Sequence, residues 1–275
     1  MTISSEARFA VWSRLSRHWS HVGPPLRPSA EDVAFANSVL AELAAQLNRP
    51  VTSILLGVTP ELSAMLAHTR TFEIDHSFEM IAWAAAECIP PPASAVVADW
   101  NAMPVRGDVA DFVVGDGCYS TAEYPEGYRQ LSSEVARVLR PGGRFVIRLF
   151  VTPETGETPE AVIDDLKNFR IGSCDVLRWR LNMALQESTT AGARLGDTFA
   201  YWQATGLTSF VTGVLGWPLV AVEVMEAYRD MDTRYTFPTL AQTRDVLTEH
   251  FLEVDCRVPH YELGERCPTL VLERR

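Results

Sequence analysis

The chain predicts a doubly wound α/β fold, Rossmann-like, built on a mostly parallel sheet. Three observations carry that expectation. Short apolar runs alternate with amphipathic runs of helical period through residue 150, the pattern of right-handed βαβ units. Each of the first four apolar runs stops at a glycine or a carboxylate: Ile54-Leu55-Leu56-Gly57, Phe72-Glu73-Ile74-Asp75, Ala95 to Asp99-Trp100, and Phe112-Val113-Val114-Gly115-Asp116-Gly117. Strand ends of that kind line the ligand crevice along the carboxyl edge of a parallel sheet. Two late strands flanking Gly264 then suggest seven strands, with an antiparallel C-terminal one.

Element by element, Ser29 and Asp32 form a capping pair ahead of Val33, Ala36, Leu40, Leu43 and Leu47, which predicts a helix over about 30–47. The preceding Trp19 to Pro28 is stiffened by prolines and is not helical past Gly23. A strand over 53–56 meets a turn at Gly57. Thr59 suits the N-cap of the next helix, Pro60 its first position, and Glu61 the positive end of its dipole. A second strand covers 71–75, and Ser77 caps a helix through Met80, Ile81 and Ala84 that stops before Pro90-Pro91-Pro92. Strands over 95–99 and 109–114 follow. A helix over 126–139 ends at Arg140-Pro141-Gly142-Gly143, read as a structural stop before a strand over 144–150.

Residues 152–235 break the rhythm with helical stretches near 159–170, 174–187, 194–205 and 218–230. A helix over 239–251 and strands over 252–258 and 269–273 close the chain. The whole reads as a single domain, 1–275: an N-terminal helical or lid segment (1–48), a cofactor-binding core (49–151), a helical insertion forming a cap (152–235), and a C-terminal helix with a β-hairpin (236–275).

The 275 residues are 47% hydrophobic and 21% charged, and the formal net charge is −11 with a pI near 5.0. That balance argues against nucleic acid, whose backbone demands clustered Lys and Arg. The five cysteines are scattered without zinc spacing, and no His, Asp and Glu cluster suggests a metal. No run reaches the ~20 apolar residues of a membrane span, and residues 1–19 lack the apolar region of a secretion signal. A cytoplasmic enzyme with no membrane partner is the expectation. The tryptophans of the insertion are mainly core, though some could line a substrate chamber or a subunit interface, which keeps a homodimer open.

Two adenosine cofactors suit such a sheet, a dinucleotide and S-adenosylmethionine. Asp75 follows Gly57 at close to the interval of about 20 residues at which a carboxylate meets ribose hydroxyls. The phosphate separates the two cofactors. A dinucleotide rests its pyrophosphate on a glycine-rich helix N-terminus; here Pro60 removes a donor and Glu61 adds a like charge. S-adenosylmethionine carries cations and no phosphate. Asp99 could accept from the adenine amino group with Trp100 packed on the ring, and Gly115-Asp116-Gly117 would admit the methionine portion, with Asp116 near its ammonium.

The series Leu-Leu-Gly-Val-Thr-Pro-Glu-Leu, Ile-Asp-His-Ser, Ala-Asp-Trp, Gly-Asp-Gly and Leu-Arg-Pro-Gly-Gly resembles the class I S-adenosylmethionine-dependent methyltransferases over about 50–150, and the Trp19 to Pro28 leader is similar to that of a bacterial branch of them. One departure lies in the first loop, where the family's Glu/Asp-x-Gly-x-Gly-x-Gly keeps a single glycine and no acid stands at Thr52 or Ser53. The resemblance implies cofactor contacts at Gly57, Val58, Thr59, Asp75, His76, Met80, Asp99, Trp100, Gly115, Asp116 and Gly117. Trp19, Arg27 and Tyr119 are lid or substrate candidates, Cys118 reads as a buried thiol, and no catalytic residue is named. Methyl transfer to a small-molecule acceptor is the leading expectation. A non-catalytic S-adenosylmethionine or S-adenosylhomocysteine binder is the alternative, and a nicotinamide-dependent reductase ranks third.

Overall fold

The computed structural model describes residues 12, 14–88, 91 and 94–275, with the backbone alone at Arg17. The expected stop at Pro90 and Pro92 and most of the 1–19 leader lie outside the described residues. Five parallel strands form the first part of the sheet: β1 (Thr52–Leu56), β2 (Arg70–Asp75), β3 (Ala95–Val97), β4 (Ala110–Asp116) and β5 (Leu139–Arg148). Two more complete it, β6 (Phe251–Arg257) and β7 (Thr269–Arg274), with β7 antiparallel to both neighbours. The spatial order is β3-β2-β1-β4-β5-β7-β6, seven strands as expected. It reverses between β1 and β4, where Leu56 pairs Ile74 on one side and Gly115 on the other. Ligands of open α/β sheets bind at that switch point.

The near-continuous apolar runs have their physical reason in two-sided burial. Ile54, Leu55 and Leu56 of β1 and Phe112, Val113 and Val114 of β4 are all buried, because helices cover both faces of the parallel strands. Helix α1 (Ala30–Gln46) buries Ala36, Leu40 and Leu43 on one face. It begins with the expected capping box, Ser29 and Asp32 each bonding the other's backbone. Helix α2 (Pro60–Met65) lies on the same face. Helix α3 (Phe78–Glu87) starts where Ser77 Oγ accepts from Met80 N at 3.1 Å. Helix α4 (Glu126–Val138) packs its Tyr128, Leu131 and Val135 on the other sheet face.

Several boundaries differ from expectation. Thr59 stands at the N-cap of α2, but its side chain makes no capping bond. Strand β3 ends at Val97, two residues early, whereas β4 runs on to Asp116. Arg140 to Gly143 belong to β5 rather than to a turn. The pairing steps from Ala110↔Leu139 to Phe112↔Arg144, so the Pro-Gly-Gly residues are absorbed in an irregularity. Arg140 and Arg49 both bond the buried Asp111, at 2.7 and 2.5 Å, and Thr52 N donates to the same carboxylate at 2.9 Å. The segment is structural, by this ion cluster.

The insertion holds α5 (Pro159–Lys167), α6 (Cys174–Ala184), α7 (Leu195–Thr205), α8 (Thr208–Gly213) and α9 (Leu219–Glu223). Helix α8 and the two-residue antiparallel pair of 193–194 with 234–235 were not expected. The insertion's apolar side chains share one cluster with Leu15, Trp19 and Val22 of the N-terminal strap and with Val58, Met80 and Phe150 of the core. Helix α10 (Leu240–Leu247), opened by a Thr239–Gln242 capping box, leads into the final hairpin.

Candidate active site

A cleft opens above the β1–β4 switch point, between the strand ends, the strap and the insertion. Its floor is set by glycines. Gly57 turns the chain out of β1 at φ +103°, a region open to glycine and strained for other residues. Gly117, at φ +64°, closes β4; a Cβ there would meet the Phe150 ring at 2.3 Å. Both line the cleft.

Asp75 reaches the cleft from the end of β2. Its carboxylate stands 3.7 Å from the position a Cβ on Gly57 would take, and its Oδ1 accepts from Ser77 N at 2.8 Å. Burial raises its pKa to about 6, against the opposing pull of backbone N–H bonds from Ser77, Val58 and His76. Beside it, Trp100 is fixed by an Nε1 bond to Ile74 O at 2.6 Å and an edge-on contact with His76 at 4.6 Å. His76, Met80, Val58 and Thr59 complete this wall. The result is a slot with an acid at its base and aromatic and thioether sides.

Three expected contacts fall outside the cleft, and a fourth, Asp116, is held in an internal ion pair. Because β3 stops early, Asp99 lies on an exposed loop, where its Oδ1 accepts from Asn101 N at 2.8 Å and faces His76 Nε2 at 3.8 Å; it does not line the cleft. Because β4 runs long, Gly115 stays inside the strand, paired with Ile147 and Leu56. Asp116 does line the cleft, but its Oδ1 is held at 2.6 Å by Arg148 Nε, and both side chains are buried. Tyr119 is a core residue. Its hydroxyl is 2.7 Å from Ser132 Oγ, its ring packs on Tyr128, and its burial pushes the phenol pKa up. Cys118 is the buried thiol expected, donating to Leu56 O; burial raises its pKa too.

The strap covers one side. Trp19 lines the cleft, and Arg27 lies over its ring at 5.6 Å. Three contacts tie the strap down: Arg27 Nη2 to Glu61 Oε1 at 2.5 Å, Arg148 Nη1 to Pro25 O at 2.7 Å, and Gly23 N to Asp175 Oδ2 at 2.8 Å. The first of these corrects the expectation about charge. Glu61 is neutralised by Arg27, so repulsion of a diphosphate at α2 rests on the missing N–H of Pro60 and the shortness of the helix. The opposite side comes from the insertion, through Arg178, Trp179, Tyr228 and Tyr235. Trp179 is one of the insertion tryptophans expected to be core or chamber lining; Arg178, Tyr228 and Tyr235 were not singled out from sequence, since nothing local marks a helix in an irregular region as facing the sheet.

Among the described residues no group of His, Cys, Asp and Glu is placed to hold a metal ion, and no helix is long and apolar enough to cross a membrane.

Residues 57–147 match a family described as a methyltransferase domain. No curated protein matches the chain in sequence. Among solved structures, the 1,6-didemethyltoxoflavin-N1-methyltransferase of Burkholderia thailandensis, bound to 1,6-didemethyltoxoflavin and S-adenosylhomocysteine, is similar with a TM-score of 0.54 and 15% identity, over 100% of this chain and 92% of that one. The N-methyltransferase NodS of Bradyrhizobium japonicum, with S-adenosylhomocysteine, is similar with a TM-score of 0.52 and 11% identity, over 96% and 98%. A putative Zn-dependent alcohol dehydrogenase from Rhodobacter sphaeroides is similar with a TM-score of 0.62 and 12% identity, over 100% of both chains. At these identities the likeness is one of fold.

Proposed function

Because the chain carries a methyltransferase domain over residues 57–147 on a class I S-adenosylmethionine-dependent methyltransferase fold, we propose that it moves a methyl group from S-adenosylmethionine to a small-molecule acceptor. One observation carries the reading: a half-buried carboxylate, Asp75, faces the Gly57 turn at the switch point, in a cleft whose other ionic side chains, Asp116 and Arg178, each pair within the protein and whose remaining walls are largely apolar and aromatic.

The residues present fit that cofactor. Asp75 would accept from the ribose hydroxyls, while Trp100, His76 and Met80 would enclose the adenine. Gly57, Val58 and Thr59 would border the sugar, and Gly117 and Asp116 the methionine end. Bound there, S-adenosylmethionine supplies a methyl already activated on a sulfonium. What remains for the protein is to align donor and acceptor and to keep water out. The strap does part of this through Trp19, and the insertion does the rest through its aromatic residues. No residue has to act as a nucleophile, which agrees with the protonated, buried state of Cys118.

Titration calorimetry with S-adenosylmethionine, S-adenosylhomocysteine and NADH tests the reading. Binding of the first two, unaffected by NADH, is the expected outcome, followed by methyl release on a panel of metabolites. A nicotinamide cofactor that displaces S-adenosylmethionine would overturn it. Tight binding without turnover on any acceptor would leave the binder alternative, motivated by the single glycine of the first loop.

A further inference from the structure

The insertion side of the cleft carries a cation that the fold uses only in part. Arg178, on α6, is 1% exposed and lines the cleft. Its Nη2 donates to Asp175 Oδ1 at 2.9 Å. Its Nε and Nη1 are buried and have no hydrogen-bond partner among the described residues. A guanidinium has five N–H donors and stays charged, and unmet donors on a buried charged group are costlier than those on a neutral one. Asp175 is also engaged elsewhere, since its Oδ2 accepts from Gly23 N at 2.8 Å. The guanidinium is held over the Tyr228 ring at 5.4 Å, so its direction is fixed.

Next to it on α6, Trp179 Nε1 is a second buried donor without a partner. The Trp179 ring stands edge-on to Phe150 at 4.8 Å and to Tyr235 at 5.7 Å, and all three line the cleft. Donors of one kind, a fixed charge and flat apolar walls thus converge on one end of the cavity.

We propose that Arg178 receives a carboxylate inside the cleft, through the N–H groups that Asp175 leaves unmet, with Trp179 Nε1 as a neighbouring donor. The inference rests on the methyl-transfer reading above and deepens it. Two molecules could bring that carboxylate: an acceptor that is a planar aromatic acid, or the donor through its own methionine portion. The aromatic walls around Arg178 favour the acid acceptor.

The experiment uses two variants, checked first by thermal unfolding. Arg178→Met removes the charge. Arg178→Lys keeps a cation beside Asp175 and so guards against loss of the fold. Calorimetry measures S-adenosylhomocysteine and 5′-methylthioadenosine, which lacks the amino-acid portion. On protein loaded with S-adenosylhomocysteine, it then compares benzoate with its neutral match benzamide. For an acid acceptor, wild type prefers benzoate by about tenfold or more, both variants lose the preference, and nucleoside affinities stay put. For the donor's carboxylate, both variants lose about tenfold or more in S-adenosylhomocysteine affinity and keep that for 5′-methylthioadenosine. The inference is overturned if S-adenosylhomocysteine binding changes less than about twofold in the variants and wild type binds benzoate no better than benzamide. Failure of wild type to bind either nucleoside would overturn the methyl-transfer reading along with it.

Discussion

Asp75 is a carboxyl whose ionisation folding feels and, on the proposed reading, binding feels too. Burial raises its pKa from 3.8 to about 6. Its contribution to stability is therefore greatest below pH 4 and is lost as the pH climbs to about 6, where the folded protein must hold the charge. Under the proposed ribose contact, cofactor affinity should run the other way, since a carboxylate is a better acceptor for hydroxyls than a carboxylic acid. We expect binding of S-adenosylhomocysteine to strengthen between pH 5 and 7 with a midpoint near 6, and Asp75→Asn to flatten that profile. Asp75→Ala should weaken binding by roughly 1–3 kcal/mol; an unchanged affinity would place the ribose elsewhere. Gly117→Ala is a second residue-scale case. The left-handed backbone and the Phe150 ring both oppose a Cβ, so a loss of about 1–3 kcal/mol is expected in denaturant unfolding.

At the scale of elements, the strap and the β4–β5 junction depend on ion pairs. Asp111 is held below the usual carboxylate range: despite the opposing effect of burial, bonds from Arg49, Thr52 N and Arg140 dominate. Its contribution is present at neutral pH and is lost as the pH falls below 3.8. Asp111→Asn should cost about 2–3 kcal/mol at neutral pH, at the low end for a buried pair because Arg49 is partly exposed. The loss should shrink in acid, which unfolding curves at pH 7 and pH 3.5 would show. Arg27→Gln should loosen the strap by freeing Glu61 and uncovering Trp19. Faster release of S-adenosylhomocysteine in stopped-flow tryptophan fluorescence is the expected result, and an unaltered release rate would mean that the strap does not gate the cleft.

For the whole molecule, the cleft joins three parts of the chain, so occupancy should stabilise all of them together. A ligand at about 100 times its Kd adds about 2.7 kcal/mol to the folded state. In a chain of this size that corresponds to a rise of roughly 5–10 °C in Tm for S-adenosylhomocysteine. A rise confined to one of two separable transitions would mean that the insertion unfolds independently of the core.

The sheet was legible from residues alone because two-sided burial writes itself as unbroken apolar runs, and because Gly57, Asp75 and Gly117 mark strand ends by chemistry. Capping at Ser29 and Ser77 was legible for the same reason, since a cap is satisfied within a few residues, although the cap expected at Thr59 makes no side-chain bond. What the linear pattern left open were matters of distance. Whether β3 ends at 97 or 99 decides whether Asp99 meets the cleft, and that depends on pairing with β2 rather than on any local preference. The partners of Asp116 and Glu61 are Arg148 and Arg27, each about thirty residues away or more, and no periodicity reports a contact of that kind. Likewise Arg178 is an ordinary helical arginine in sequence. Only packing of the insertion against the strand ends buries it with donors to spare, which makes it a candidate for recognition.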